Sequence, residues 1–134
     1  MSLDPAPLTL VAFDFGTRRI GVATGNTLLR LATPLRTLQA EGDARFAQIE
    51  RVLAEWQPQA LVVGVPFHPD GAAHENTHKA RRFARQLHGR FRLPVHEVDE
   101  RYTTTEAHQL GAGDADATAA ALILDQYFRD LPAP

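Results

Sequence analysis

An aspartate interrupts the most apolar run near the start of this chain. The segment Leu8-Thr-Leu-Val-Ala-Phe-Asp14-Phe-Gly16-Thr-Arg-Arg-Ile-Gly-Val-Ala23 reads as two apolar strands joined by a tight turn. The first strand, predicted over 8–15, is apolar on both faces, which places it in the middle of a sheet. The second, over 20–25, is its hairpin partner. Strand interiors disfavour Asp, and a lone buried charge is costly. Asp14 therefore calls for a partner, and a bound cation is the best candidate.

The rest of the chain alternates helix and strand. Residues 31–38 read as a third strand, placed at an edge by Pro34. Asp43 can cap a helix over 44–56, where Phe46, Ile49, Leu53 and Trp56 recur at helical spacing and predict a core-facing stripe. Residues 60–65 (ALVVGV) form a continuous apolar run, a buried parallel strand. A loop over 66–74 leads to a helix over 75–88. A strand over 94–99, a short helix over Thr103–Leu110 and a final helix from its cap Asp114 to about Arg129 complete the pattern. One α/β domain over 1–134 is expected.

Two further acids stand in matching contexts. Glu100 follows the strand at 94–99, and ligands of open α/β sheets collect at the carboxyl ends of strands. If that strand neighbours the first, Asp14 and Glu100 converge; alternation lets only one of Asp99 and Glu100 point that way. Asp116 shares the inward face of the last helix with Ala120, Ile123, Leu124 and Tyr127. The small residues Ala117, Ala119, Ala120 and Ala121 let this helix approach the sheet closely. Three such acids suit Mg²⁺ or Mn²⁺, which prefer oxygen ligands, and two such ions clamp a phosphodiester displacement.

Composition narrows the classes. The chain has 134 residues, 44% of them hydrophobic, a net charge of −2 and no cysteine. Disulfides, thiolate zinc sites and cysteine nucleophiles are excluded. No apolar run approaches the roughly 18 residues of a membrane helix, and the first residues lack the features of a signal peptide. A cytoplasmic protein with no membrane partner is expected.

The blocks AFDFGTRRIGVATG, LVVGVPFHPDG, VHEVDERYTTTEA and DADATAAALIL, in that order, resemble the signature blocks of the YqgF-type family. Its members are proposed pre-16S rRNA nucleases, formerly proposed Holliday-junction resolvases. The resemblance implies a ribonuclease H-like fold: a five-stranded mixed sheet with flanking helices, its second strand antiparallel. It places the acidic site on Asp14, Glu100 and Asp116. It implies a two-metal phosphodiester hydrolase acting on structured RNA (pre-rRNA) or branched DNA, with ribosome-assembly proteins as further partners. A binding protein without catalysis, for nucleic acid or an assembly partner, is the alternative. Two departures stand out: Pro66-Phe-His-Pro-Asp-Gly71 replaces a PLNMDG-like loop, and only Gly111–Ala115 bridges to the last aspartate.

Basic residues near these acids are candidate phosphate contacts. Arg18 and Arg19 lie in the turn after Asp14, Arg101 adjoins Glu100, and Arg81 and Arg85 extend the set. The basic run from Lys79 to Arg92 reads equally as a solvated helix face. His74 and His78 stand at i,i+4 with no third ligand evident and read as surface residues. The first hairpin also resembles that of actin-like ATPases and sugar kinases, but those close two such domains around a nucleotide. The Asp-Phe-Gly triplet lacks the Gly-rich loop and HRD motif of protein kinases. No nucleotide cofactor is expected.

Overall fold

The computed structural model describes residues 6–39, 41–102 and 114–133. Five strands and three α-helices follow in the order β1 (Thr9–Phe15), β2 (Ile20–Asn26), β3 (Ala32–Leu38), α1 (Ala44–Trp56), β4 (Ala60–Val65), α2 (Glu75–Phe91), β5 (Val95–Asp99), a 3₁₀ turn (Glu100–Tyr102) and α3 (Ala115–Asp130). The sheet order is β3-β2-β1-β4-β5, so the strand bearing Asp14 is central. β2 runs antiparallel to β1 and β3, while β4 is parallel to β1 and β5 parallel to β4. The short helix expected over Thr103–Leu110 lies outside the described residues.

Strand alternation divides the core into two layers. Val11, Phe13, Ile20, Val22, Leu61 and Val63 face one way and pack with Phe46 and Ile49 of α1 and Phe83 and Leu87 of α2. Leu10, Ala12, Ala60 and Val62 face the other way and meet Ile123, Leu124 and Phe128 of α3. Asp14 continues the Leu10–Ala12 row and so belongs to the α3 face. Each fully buried Leu, Ile or Phe contributes about 1.5–3 kcal/mol, and both faces of β1 are paved with such contacts.

On the α3 face β2 presents Gly21, Ala23 and Gly25. Ala23 packs with Ala120 and Ala121. A Cβ at position 25 would stand 3.0 Å from a ring carbon of Phe128. Small residues on both partners bring helix and sheet close, as the alanines of the last helix predicted. β3 is the edge strand expected from Pro34, with an irregularity in its pairing where Val22 meets Arg36 and Ala23 meets Pro34.

Three local expectations need correction. Trp56 is 38% exposed. It falls on the same helical stripe as Ile49, but in the last turn, past the buried Val52, before Gln57 leaves the helix with φ 47°. Asp43 occupies the N-cap of α1 but makes no side-chain cap bond; its carboxylate stands 3.7 Å from Arg90 instead. His74 is no idle surface residue. It caps α2, its Nδ1 accepting from the Asn76 amide at 3.1 Å, while Thr77 Oγ1 accepts from the His74 amide and donates to the Pro66 carbonyl.

Candidate active site

Glu100 reaches Asp14 across an intervening strand. β5 is not the neighbour of β1; β4 lies between them. Two strand spacings amount to about 10 Å. The reach is possible because β4 carries Gly64 one position beyond the Phe13–Val63 register pair. A Cβ at position 64 would stand 2.6 Å from Glu100 Oε1 and 2.9 Å from Glu100 Cγ. The glutamate therefore folds over β4 through the notch that the missing side chain leaves, on the α3 face where Asp14 lies.

There the two carboxyl groups hydrogen-bond. The Glu100 carboxyl is pushed up to about 8, first by burial, then by the charge of Asp14 and the hydrogen bond with it, and last by Asp99. At neutral pH Glu100 thus retains a proton that it shares with Asp14. A desolvated carboxyl group beside a second carboxylate titrates in this way.

Asp99 has a different role. Its neighbour Val98 faces α3, so alternation turns Asp99 to the opposite face. There its carboxylate takes a fork from Arg101: Nε at 3.0 Å and a terminal nitrogen at 2.7 Å. These hydrogen bonds hold Asp99 below the usual carboxylate range. Of the two acids left open by the sequence, Glu100 is the one beside Asp14.

Asp116 approaches from the helix. Asp114 caps α3, accepting from the Ala117 amide at 3.1 Å and from the Thr37 hydroxyl, which leaves Asp116 free of the capping role. A Cβ at position 21 would stand 1.8 Å from the Asp116 carbonyl oxygen, and Gly21 is the cross-strand partner of Asp14. The backbone of Asp116 thus lies directly over the strand beside Asp14. Its carboxylate, however, takes Arg19 Nε at 3.1 Å. Among the described residues no three His, Asp or Glu side chains are grouped so as to hold a metal ion.

An open cleft of about 650 Å³ reaches Asp116 but neither Asp14 nor Glu100; it is lined by Gly16, Thr17, Arg18, Arg19, Gln39, Glu41 and Asp116. Arg18 faces Glu41 across it at 3.8 Å. The other basic candidates stand apart. Arg81 pairs with Glu97 at 3.1 Å and lies over the Phe67 ring. Arg101 lies over the same ring and against Gly71 of the 66–74 loop. Arg85 lines a groove with Pro94 and Val95, at the amino end of β5, opposite Glu100. Sequence reasoning missed Gly21 and Gly64, although a glycine inside an apolar strand signals close approach by another group.

Among the described residues no helix is long and apolar enough to cross a membrane. The sheet order and flanking helices are those of a ribonuclease H-like fold, and a solved structure shares them. T. thermophilus RuvC, determined in complex with a Holliday junction substrate, superposes with a TM-score of 0.57 over 90% of this chain and 93% of its own, at 15% identity. Sequence relatives are much nearer. A protein of Albidiferax ferrireducens named "Putative pre-16S rRNA nuclease" is 68% identical over 92% of this chain and 79% of its own length. One of the same name from a Polaromonas species is 63% identical over 92% and 90%. Residues 8–130 match the family described as RuvX, Holliday junction resolvase, and the chain belongs to that family.

Proposed function

We propose that this protein is a divalent-metal-dependent endonuclease that acts on structured RNA and trims the 5′ end of pre-16S rRNA. The observation that carries the proposal is the contact of the Asp14 and Glu100 carboxyl groups on the α3 face, with the Asp116 backbone over the strand beside them. The Glu100 carboxyl folds through the Gly64 notch into contact with that of Asp14, and a divalent cation held by both relieves their mutual repulsion. Their oxygens, with those of Asp116, are the hard donors that Mg²⁺ and Mn²⁺ prefer. The names of the Albidiferax and Polaromonas relatives support RNA as the substrate.

In this reading Asp14, Glu100 and Asp116 hold the metal, two ions in the fullest form. When bound, the metal polarises the scissile phosphate and lowers the pKa of water. Arg18 and Arg19 bind backbone phosphates in the cleft, and Arg101 contributes from the far side of Glu100. Arg81 and Arg85 serve as an outer extension along α2. Gly64 and Gly21 keep the acids in place by admitting Glu100 and the α3 backbone. Glu100 gives up its proton as the metal binds, so binding releases protons and strengthens with pH.

The test is cleavage of a 5′-extended 16S precursor RNA, beside a four-way DNA junction, by wild type and Asp14→Asn with Mg²⁺ or Mn²⁺. Metal-dependent RNA cleavage lost in the variant supports the proposal. Cleavage of the junction alone would make the protein a resolvase. RNA binding without cleavage under either metal would make it a binding protein.

A further inference from the structure

We propose that Arg19 is an exchangeable partner of Asp116: it holds this carboxylate in the nucleic-acid-free protein and passes to a backbone phosphate when nucleic acid enters the cleft. The third acid is then released to join Asp14 and Glu100. The inference rests on the nuclease reading and adds that the metal site is completed by the substrate.

The geometry favours exchange over a permanent bridge. The backbone of Asp116 is pinned between Gly21 and the Asp114 cap, so only its side-chain torsions can re-aim the carboxylate. That backbone lies beside the strand position opposite Asp14, yet the carboxylate is engaged with Arg19 at 3.1 Å. Arg19 is the more exposed half of the pair, its side chain 65% exposed against 29% for Asp116, so it is the half that an incoming phosphate can reach.

The cleft is balanced in the same way on its other wall. Arg18, 86% exposed, faces Glu41. Both arginines of the turn thus have an acid opposite them. Exposed ion pairs are weak, whereas an arginine takes a phosphate with short, charge-assisted and often bidentate bonds. A phosphate entering between them outbids the carboxylates. By reciprocity, metal bound with Asp116 strengthens nucleic-acid binding by the same factor by which nucleic acid strengthens metal binding.

The experiment is Mn²⁺ binding to the free protein, followed by electron paramagnetic resonance without nucleic acid. Arg19→Gln is expected to bind Mn²⁺ about two- to five-fold tighter than wild type, the release of one exposed ion pair. Arg18→Gln removes equal charge from the same cleft and should gain clearly less. In an Asp116→Asn background, Arg19→Gln should add nothing, because the double-mutant cycle isolates the pair. A gain in Arg19→Gln no larger than in Arg18→Gln, or one that persists with Asn at position 116, overturns the exchange while leaving the nuclease reading intact. No Mn²⁺ binding even by Arg19→Gln overturns the exchange, while the nuclease reading stands or falls separately on metal-dependent cleavage of the precursor RNA.

Discussion

Gly21 lies directly beneath the Asp116 carbonyl, at a distance where even a methyl group would stand 1.8 Å from the oxygen. The contact is with backbone, which cannot rotate away. Gly21→Ala is therefore expected to lift the start of α3 and destabilise the protein by about 1–3 kcal/mol, at the upper end of overpacking effects. Urea denaturation measures this; a loss below about 0.5 kcal/mol would show that the helix gives way freely.

The Glu100 proton makes stability depend on pH. Glu100 ionises near its ordinary value of 4.5 in the unfolded chain but near 8 in the fold. Its contribution is fully present below pH 4.5 and is lost as pH rises through about 8, because the unfolded state ionises first. Without metal, the melting temperature of wild type should fall relative to that of Glu100→Gln between these limits. Parallel melting curves across that range would contradict the shared proton.

Metal should replace that proton. Asp14→Asn removes the charge that opposes Glu100 and is expected to melt higher than wild type in the metal-free state. Mg²⁺ or Mn²⁺ should stabilise wild type by mass action and the variant less. An equal shift in both proteins would take Asp14 out of the metal site.

Phosphate contacts are read from salt dependence. Arg18→Ala and Arg19→Ala should each reduce the magnitude of the log K against log salt slope for RNA by about 1. Arg101→Ala should do less, since its side chain is only 28% exposed and forked onto Asp99. Unchanged slopes in both turn variants would move the nucleic-acid surface elsewhere.

Much of this architecture was legible in the sequence because local signals agreed. The ALVVGV run gives the bounds of β4, and Pro34 marks the edge strand. The apolar setting of Asp14 singled out β1, and the alanines of α3 announced its close packing. What stayed hidden depended on strand order. Glu100 and Asp14 meet over β4 rather than as neighbours, and the notch at Gly64 acquires meaning only once β4 is known to lie between them. The Arg19–Asp116 pair joins residues almost a hundred positions apart, and no periodicity reports such a contact. Trp56 misled because helical phase says which face a residue takes but not how far along the axis the core extends.

The position of α3 in chain order has a consequence for synthesis. A ribosome that has made all five strands has still to make the helix that carries Asp116 and covers Leu10, Ala12 and Asp14. Until α3 emerges, that face of the sheet stays wet and the acid set lacks a member. Closing the second hydrophobic layer and delivering the Asp116 carboxylate are a single event, so a nascent chain cannot acquire the three acids before α3 covers the sheet.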